Sequence, residues 1–281
     1  MTIFDDPAAA LEGRYPHSGA RLRHTLIDDP IFSLEALAGL ASRLPKSSVE
    51  YNAGDVPLDA DPSATPSTGL SIDETIRRIN ECKSWMVLKN VEQDPPYKAA
   101  LDRCLAEIDA ATVNATGPME KKLGFIFVTS PDSVTPFHLD PEHNILLHLR
   151  GVKYFNLYDD KCGIVSDENH ERYHVGAAHR NLRHQPAFDE YRTEHKLLPG
   201  DAIYVPIKAP HWVRTGPEPS ISFSITWRSR QSLDEASLRL ANYRLRRMGL
   251  KPPSPGSRPL RDRAAVIAER AMSRMIGPPR A

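Results

Sequence analysis

One pair of residues in this sequence has the spacing of a metal site: His138 and Asp140, separated by a leucine. At no other histidine does an acidic residue follow two positions later. In an extended strand, residues two apart point to the same face, so an imidazole nitrogen and a carboxylate oxygen here can bind one metal ion. A second histidine from elsewhere would complete the two-histidine, one-carboxylate triad that holds Fe(II) with open coordination positions. The pair alone is weak evidence, because about one histidine in ten has such a neighbour by chance.

Helical spacing of apolar residues and helix-start signals predict the helices that flank this pair. They lie at residues 29–44, 71–82, a stretch beginning at Pro96, 232–248 and 259–276. Ser33 is a candidate N-cap, and residues 71–74 and 232–235 are candidate capping boxes. Residues 55–68 are rich in Pro, Asp, Ser and Thr, which is typical of a loop.

Short apolar runs broken by Pro, Gly and Asp predict the strands, at residues 85–88, 123–128, 144–149, 152–158, 201–205 and 221–227. This pattern predicts a mainly β protein with α flanks, built on an antiparallel barrel or sandwich such as a jelly roll. The polar stretch at residues 159–194 is predicted to be a long loop that could close over the site. Its histidines show no apolar stripe around them and are expected to be solvated: His170, His174, His179 and His184.

Two separated motifs resemble a known family. The segment VTPFHLD at residues 134–140, with LRGVK at 149–153, is similar to the JmjC and cupin-like 2-oxoglutarate oxygenases, closest among them to the asparaginyl hydroxylase of hypoxia-inducible factor. Downstream, LPGDAIYVP at 198–206 followed by His211 resembles the same family's distal metal-ligand strand. The resemblance covers residues 124–228, and the flanks resemble bacterial cupin-like proteins more loosely. It implies a double-stranded β-helix with N-terminal and C-terminal helices.

The resemblance also implies roles for particular side chains. His138, Asp140 and His211 would bind Fe(II) and form the catalytic centre, while Lys153 and Thr135 would hold the remote carboxylate of the cosubstrate 2-oxoglutarate. A buried anion needs a matching cation and hydrogen bonds, which a lysine and a hydroxyl supply.

Three further residues are candidates for cosubstrate binding on strand alternation: Asn144, Leu146 and His148. The chain departs from the hydroxylase pattern on the last barrel strand, where Ser222, Ser224 and Thr226 stand in place of an inward asparagine. That departure leaves the iron ligands intact and puts an equivalent substrate pocket in doubt.

Simpler interpretations remain open for these residues. His138 and Asp140 could be a hydrogen-bonded pair at a strand end, and Lys153 could be a surface lysine after a glycine turn. His143, His195 and Cys162 have no chemical constellation around them.

Length and composition limit the class of protein. The 281 residues, 40% hydrophobic and 26% charged, are typical of a folded globular protein, with enough chain for a sizeable core. The start of the chain lacks a signal-peptide pattern, and no apolar run is long enough to span a membrane, which predicts a cytoplasmic protein. Three widely spaced cysteines fit neither a disulfide framework nor a zinc motif.

Equal numbers of acidic and basic residues hide a basic C-terminal end. Residues 228–281 carry thirteen Lys and Arg against four Asp and Glu. Nucleic-acid binding, membrane-surface binding and packing are all compatible with this charge, but no helix-turn-helix or other reading motif is present. We expect a homodimer formed through the C-terminal helices, with no nucleic-acid or membrane partner.

The sequence thus predicts three sections: an N-terminal segment at 1–121, a catalytic barrel at 122–230 and C-terminal helices at 231–281. With the resemblance, it predicts an Fe(II)- and 2-oxoglutarate-dependent oxygenase that uses O2 to hydroxylate an unknown substrate. That substrate could be a protein or peptide side chain, or a small metabolite. The alternative is a non-catalytic cupin-like regulator that binds a ligand and acts through its basic helices.

Overall fold

The computed structural model describes residues 2–53, 69–159 and 163–280, in which two β-sheets form the framework. The strands are β1 (Ala20–Arg23), β2 (Val49–Ala53), β3 (Ser84–Lys89), β4 (Met119–Thr129), β5 (Val134–His138), β6 (His143–Arg150), β7 (Lys153–Tyr158), β8 (Arg192–Leu197), β9 (Asp201–Val205), β10 (His211–Thr215) and β11 (Ser220–Ser229). One sheet has the order β1-β9-β6-β11-β4-β3-β2, and the other has the order β5-β10-β7-β8. All pairings are antiparallel.

This strand order is that of a double-stranded β-helix. Of the eight strands from β4 to β11, four lie in the larger sheet (β4, β6, β9 and β11) and four in the smaller one (β5, β7, β8 and β10), and the chain changes sheet at every step except between β7 and β8. The N-terminal segment extends the larger sheet at both edges, with β1 beside β9 and with β3 and β2 beside β4. The predicted jelly-roll fold with helical flanks is therefore confirmed, whereas β1, β2, β5, β8 and β10 were not recognised as strands from the sequence.

Within the described ranges, seven α-helices flank the sheets. They are α1 (Pro7–Leu11), α2 (Leu34–Arg43), α3 (Ile72–Arg77), α4 (Pro95–Thr116), α5 (Asp167–His174), α6 (Arg230–Arg247) and α7 (Pro259–Ile276). No helix among the described residues is long and apolar enough to cross a membrane. The bounds predicted for α7 are confirmed, and α2 and α3 are shorter than predicted.

The apolar side chains form two separate clusters. The larger one lies between the large sheet and the helices, where α4 residues such as Leu105 and Ile108 pack with Phe223 and Trp227 of β11. The smaller one lies inside the barrel, between the two sheets. Its members are Leu146, Phe155, Leu157, Leu197, Ile203, Val205, Ala209 and Val213. The barrel interior is thus partly apolar around the candidate site.

Of three N-terminal helix caps predicted from the sequence, two are confirmed and one is wrong. The Ser33 side chain accepts a hydrogen bond from the backbone of Ala36, and Ser71 and Glu74 form the predicted capping box. The predicted box at residues 232–235 is wrong, because β11 passes directly into α6 and Ser229 pairs with Ser232 instead. Glu235 is one turn inside the helix and has other partners.

The prediction of a continuous loop at residues 159–194 is also wrong. Residues 167–174 form α5, and His170 is buried instead of solvated. The helix shows no apolar stripe because its contacts with α6 are ion pairs, including one between Arg246 and the fully buried Glu171. Cys162 and the predicted loop at 55–68 lie outside the described residues. The three-section organisation stays a prediction, and β4 crosses its first boundary.

Candidate metal centre and adjoining cavity

The three predicted metal ligands converge at one end of the barrel. His138 ends β5 and His211 begins β10, and the two residues are direct partners in the ladder between these strands. Asp140 follows β5, and its Oδ2 lies 3.7 Å from the Nε2 of each histidine. The ligand atoms of all three residues lie within 4.8 Å of one another. Their chemistry and spacing fit one divalent metal ion with two imidazoles and one carboxylate as ligands.

Backbone carbonyls fix both imidazole rings. The Nδ1 of His138 is 2.7 Å from the carbonyl oxygen of Pro136, and the Nδ1 of His211 is 2.9 Å from that of Ala209. Since a carbonyl can only accept, each Nδ1 carries the proton and each Nε2 presents its lone pair towards Asp140. Burial lowers the pKa of His211 to about 3, so this ring is neutral, as a metal ligand must be.

The carboxylate of Asp140 has a further partner that the sequence did not indicate. The Nη1 of Arg180 lies 3.1 Å from its Oδ1, which leaves Oδ2 directed at the two histidines. Burial opposes ionisation of Asp140, but His138, Arg180 and His211 hold its pKa well below the usual range. Arg180 lies in the polar segment after α5, where no spacing signal marks it.

An irregularity in β5 brings a second predicted residue to the same side as His138. Across the ladder, His211 faces His138 and Val213 faces Thr135, so two steps on β10 match three steps on β5. The extra residue is a β-bulge. In a regular strand, Thr135 and His138 would point to opposite faces, but here both line the cavity next to the triad.

Lys153 lines the same cavity and is only 3% exposed. Its Nζ donates a hydrogen bond to the Oγ of Ser222 at 2.9 Å and lies 6.0 Å from the centre of the Phe127 ring. Among the described residues it has no acidic partner, and burial lowers the pKa of Lys153 to about 7. A buried ammonium group without a counter-charge is costly, so this position suits an anion bound in the cavity.

The other predicted cosubstrate residues fall in two layers. Asn144 and Leu146 line the cavity, and the Asn144 amide oxygen accepts a hydrogen bond from Ser224. His148 is not among the lining residues: its Nδ1 is 3.1 Å from Ser222 Oγ and its Nε2 is 2.9 Å from the carbonyl oxygen of Gly151. His148 therefore lies behind the serine that contacts Lys153.

Sequence reasoning missed the wall that the larger sheet contributes. Trp85 of β3 and Phe127 and Thr129 of β4 line the cavity opposite the metal ligands. The indole Nε1 of Trp85 is buried and has no hydrogen-bond partner among the described residues. A buried ammonium without a counter-charge and an unpaired indole N–H in one cavity both fit a polar, anionic ligand. The alternation of β3 could have indicated Trp85, but no sequence pattern indicates that β3 lies beside β4.

Comparison with known proteins gives a family match over the part of the chain that carries this site. A family model described as the JmjC domain matches residues 106–234, which contain the whole triad and Lys153. A lysine-specific demethylase 8 of Danio rerio is 32% identical over 101 residues, or 34% of this chain. The chain spans about a quarter of the length of that curated relative, since the match covers 25% of it.

Solved structures of YcfD from Escherichia coli share the fold. One aligns over 96% of this chain and 68% of its own, with a TM-score of 0.53 and 16% identity. Another is described as YcfD, a ribosomal oxygenase, in complex with cobalt and 2-oxoglutarate; it has a TM-score of 0.51, 19% identity, and coverage of 96% and 67%. The chain is therefore similar to the JmjC domain over residues 106–234, the part that carries the triad, and it shares the fold of these solved structures.

Proposed function

We propose that this protein is an Fe(II)- and 2-oxoglutarate-dependent oxygenase that hydroxylates its substrate. The observation that carries the proposal is the position of Lys153, a buried cation without an acidic partner among the described residues, in the cavity that also holds His138, Asp140 and His211. A metal site alone has no need of such a cation. A metal site that binds a dicarboxylate does, because one carboxylate then lies away from the metal.

The ligand set supports Fe(II) as the metal. Two neutral imidazoles and one carboxylate suit this ion and leave positions open for a chelating cosubstrate and O2. When bound together, Fe(II), 2-oxoglutarate and O2 supply the oxidising chemistry, and the protein orients and shields the reactants. The complex of YcfD with cobalt and 2-oxoglutarate supports the same pairing of metal and cosubstrate in this fold.

The side chains of this protein then have defined tasks. Lys153 and Thr135 bind the remote carboxylate, and Ser222 holds the lysine ammonium in place. Leu146 and Phe155 keep the cavity dry, and the Phe155 ring stacks on the His211 ring at 5.0 Å between centroids. Low polarity on this wall strengthens the charge pairing at Lys153.

We propose a protein or peptide side chain as the substrate. The support is the similarity to two proteins whose names refer to such substrates, a lysine-specific demethylase and a ribosomal oxygenase. A small metabolite is the alternative. Mass spectrometry separates them: a gain of 16 Da on a protein or peptide incubated with enzyme, Fe(II) and 2-oxoglutarate supports the first. Succinate formed only with added small metabolites supports the second.

A non-catalytic regulator remains the rival from another class. Its C-terminal helices would transmit ligand binding to a partner, and the exposed charges on them are basic. Lys153 argues against this rival, since a sensor of metal alone has no use for a buried anion-binding cation.

We also propose that two copies associate through the C-terminal helices. The outer face of α7 carries exposed apolar side chains at helical spacing, among them Leu260, Ile267 and Met275 at 70–83% exposure. Light scattering of wild type and Ile267→Glu tests this. A dimer that the substitution converts to a monomer supports the proposal, and a monomeric wild type contradicts it.

The decisive test of function is anaerobic mixing with Fe(II) and 2-oxoglutarate, followed by visible absorption spectroscopy. A charge-transfer band is expected for the wild type, absent in His138→Ala. Lys153→Ala is expected to need far more 2-oxoglutarate to produce it. If folded wild-type protein is freed of metal, then mixed with Fe(II) and 2-oxoglutarate, and shows no band, the oxygenase proposal is overturned in favour of the regulator.

A further inference from the structure

Lys208 links the metal-binding carboxylate to a distant part of the chain. It lies in the turn between β9 and β10, three residues before His211, and its backbone has a φ of +60°. This left-handed conformation is uncommon for a residue with a side chain. The backbone N–H of Lys208 donates a hydrogen bond of 2.7 Å to the carbonyl oxygen of Asp140. The turn therefore fixes the backbone from which the carboxylate ligand projects.

The side chain of Lys208 explains how that conformation is held. Lys208 is 6% exposed, and its Nζ lies 2.6 Å from the Oε1 of Glu235 on α6. Burial lowers the pKa of Lys208 and the carboxylate of Glu235 opposes this, while the lysine in turn contributes to lowering the pKa of Glu235 to about 2. The two groups form an ion pair in which the ammonium is buried and the carboxylate is partly exposed. The pair resists displacement because the buried ammonium cannot be left without its partner at low cost.

The same helix also anchors the second support of Asp140. Arg239, one turn after Glu235, donates to Glu235 at 3.2 Å and forms an ion pair with Asp167 at the start of α5. Helix α5 leads into the segment that carries Arg180, whose guanidinium lies 3.1 Å from the Asp140 carboxylate. Helix α6 thus holds the Asp140 backbone through Lys208, and it holds the helix that precedes Arg180.

We propose that Glu235 is a positioning residue for the metal-binding carboxylate of Asp140, acting through Lys208, so that helix α6 is a working part of the metal centre. The inference rests on the proposed function of the triad. A positioning role differs from a purely structural role in one measurable way. Loss of the Glu235 charge must weaken metal binding more than a substitution elsewhere that lowers the stability of the protein by the same amount.

The physical reason is pre-organisation. Without Glu235, the buried ammonium of Lys208 has no counter-charge and turns towards water, which releases the strained turn and its hydrogen bond to Asp140. The carboxylate then has to be ordered when the metal binds. Groups that hydrogen-bond a metal ligand typically change metal affinity by about 10- to 100-fold, and Glu235, which acts on Asp140 through Lys208, is expected to cause a loss towards the lower end of this range in Glu235→Ala.

The chain offers a matched control at Glu269 of α7. This residue is more buried than Glu235, at 2% exposure, and its Oε2 lies 2.9 Å from Arg244 of α6. Like Glu235, Glu269 forms an ion pair that involves helix α6, but its partner is Arg244 and not Lys208. Glu235→Ala and Glu269→Ala should therefore lose comparable stability, and Glu235→Gln, which keeps a hydrogen-bond acceptor for the lysine, should show a smaller effect than Glu235→Ala.

The first measurement is Co(II) titration of the metal-free, full-length variants by visible absorption. The expected result is an affinity for Co(II) reduced towards the lower end of the range of about 10- to 100-fold in Glu235→Ala, less in Glu235→Gln, and unchanged in Glu269→Ala. Equal affinities in Glu235→Ala and Glu269→Ala would overturn the inference. A wild type that binds no Co(II) would overturn the proposed function instead, so the two failures are distinct.

A second measurement does not depend on the metal. Hydrogen exchange of the metal-free protein measures the protection of the Lys208 amide directly, because that N–H donates a hydrogen bond to the carbonyl oxygen of Asp140. Faster exchange across residues 206–211 in Glu235→Ala, with the wild-type rate in Glu269→Ala, is the expected result. Wild-type exchange in Glu235→Ala would show that α6 does not hold the turn, and the inference would fail.

Discussion

Two lysines in this protein are buried to a similar degree, yet their surroundings differ. Lys208 is 6% exposed and has a carboxylate at 2.6 Å, whereas Lys153 is 3% exposed and has a serine hydroxyl at 2.9 Å as its hydrogen-bond acceptor. Lys208 belongs to a network of ion pairs between the barrel and α6. Lys153 lines the cavity beside the metal ligands.

The difference indicates what each lysine is for. A buried cation with a counter-charge in its own chain completes the folded structure, because removing either partner leaves an isolated charge. A buried cation without one makes folding less favourable, and it is useful only when a ligand brings the opposite charge. The contrast separates a lysine that stabilises the folded structure from one that we propose to bind the cosubstrate, and each role can be tested by substitution.

The largest effect on stability is expected for Lys208→Met. The substitution removes the ion pair and leaves the partly exposed Glu235 carboxylate with Arg239 as its remaining partner, and we expect a loss of about 3 kcal/mol in the free energy of unfolding. Lys153→Met should lose little or none, because it removes a desolvated charge. Urea unfolding of the metal-free proteins measures both, and an equal loss in the two variants would erase the contrast.

Binding of the cosubstrate should show the opposite order. Lys153→Ala removes the charge that matches the remote carboxylate, and a charge-assisted hydrogen bond of this kind contributes up to about 3 kcal/mol, or roughly 100-fold in affinity. Calorimetric titration of 2-oxoglutarate into the Co(II)-loaded protein measures it. Co(II) affinity itself should be unchanged, and wild-type affinity for 2-oxoglutarate in this variant would rule out the assigned role of Lys153.

The pH dependence of binding sharpens the assignment. Burial lowers the pKa of Lys153 to about 7 in the free protein, and an anion bound beside it favours the charged form and raises that pKa. Affinity for 2-oxoglutarate should therefore be constant below pH 7 and fall by about tenfold per unit above it, until the pKa of the complex is reached. Lys153→Arg keeps its charge and should remove this dependence over the same range. A flat wild-type profile would contradict the prediction.

Ser222→Ala should have the smallest effect. It removes the hydroxyl that accepts from Lys153, a neutral hydrogen-bond partner contributing about 1 kcal/mol, so the affinity for 2-oxoglutarate should fall only about fivefold. The same titration measures it. A loss as large as that of Lys153→Ala would mean that the serine contacts the ligand itself.

The sequence predicted those parts of the site that lie close together along a strand or recur as family motifs. His138 and Asp140 follow from strand alternation, and the fold follows from short apolar runs separated by turns. Residues that contact the site from elements distant in the sequence have no spacing or motif that marks them. Residues 232–235 have the pattern of a capping box, but the carboxylate of Glu235 pairs with Lys208 of a preceding turn instead.

Helix α5 was missed for a related physical reason. A helix on a protein surface usually buries a stripe of apolar side chains. Helix α5 instead contacts α6 through two ion pairs, Glu171 with Arg246 and Asp167 with Arg239. Because charged residues make these contacts, the sequence of α5 lacks the apolar residues at helical spacing from which a helix is predicted. Arg180, which follows the same helix, was missed with it.

The extra residue in β5 makes this part of the site depend on how the strand pairs, as well as on which residues it contains. Thr135 and His138 share the cavity wall because three positions on β5 match two on β10. A substitution that removed the bulge but kept the length of the strand would restore regular alternation and turn one of the two side chains to the outside. Deleting one residue between them would instead leave the two residues two apart, on one face of a regular strand. A sequence with one residue fewer at this point can therefore still hold both side chains in the same wall.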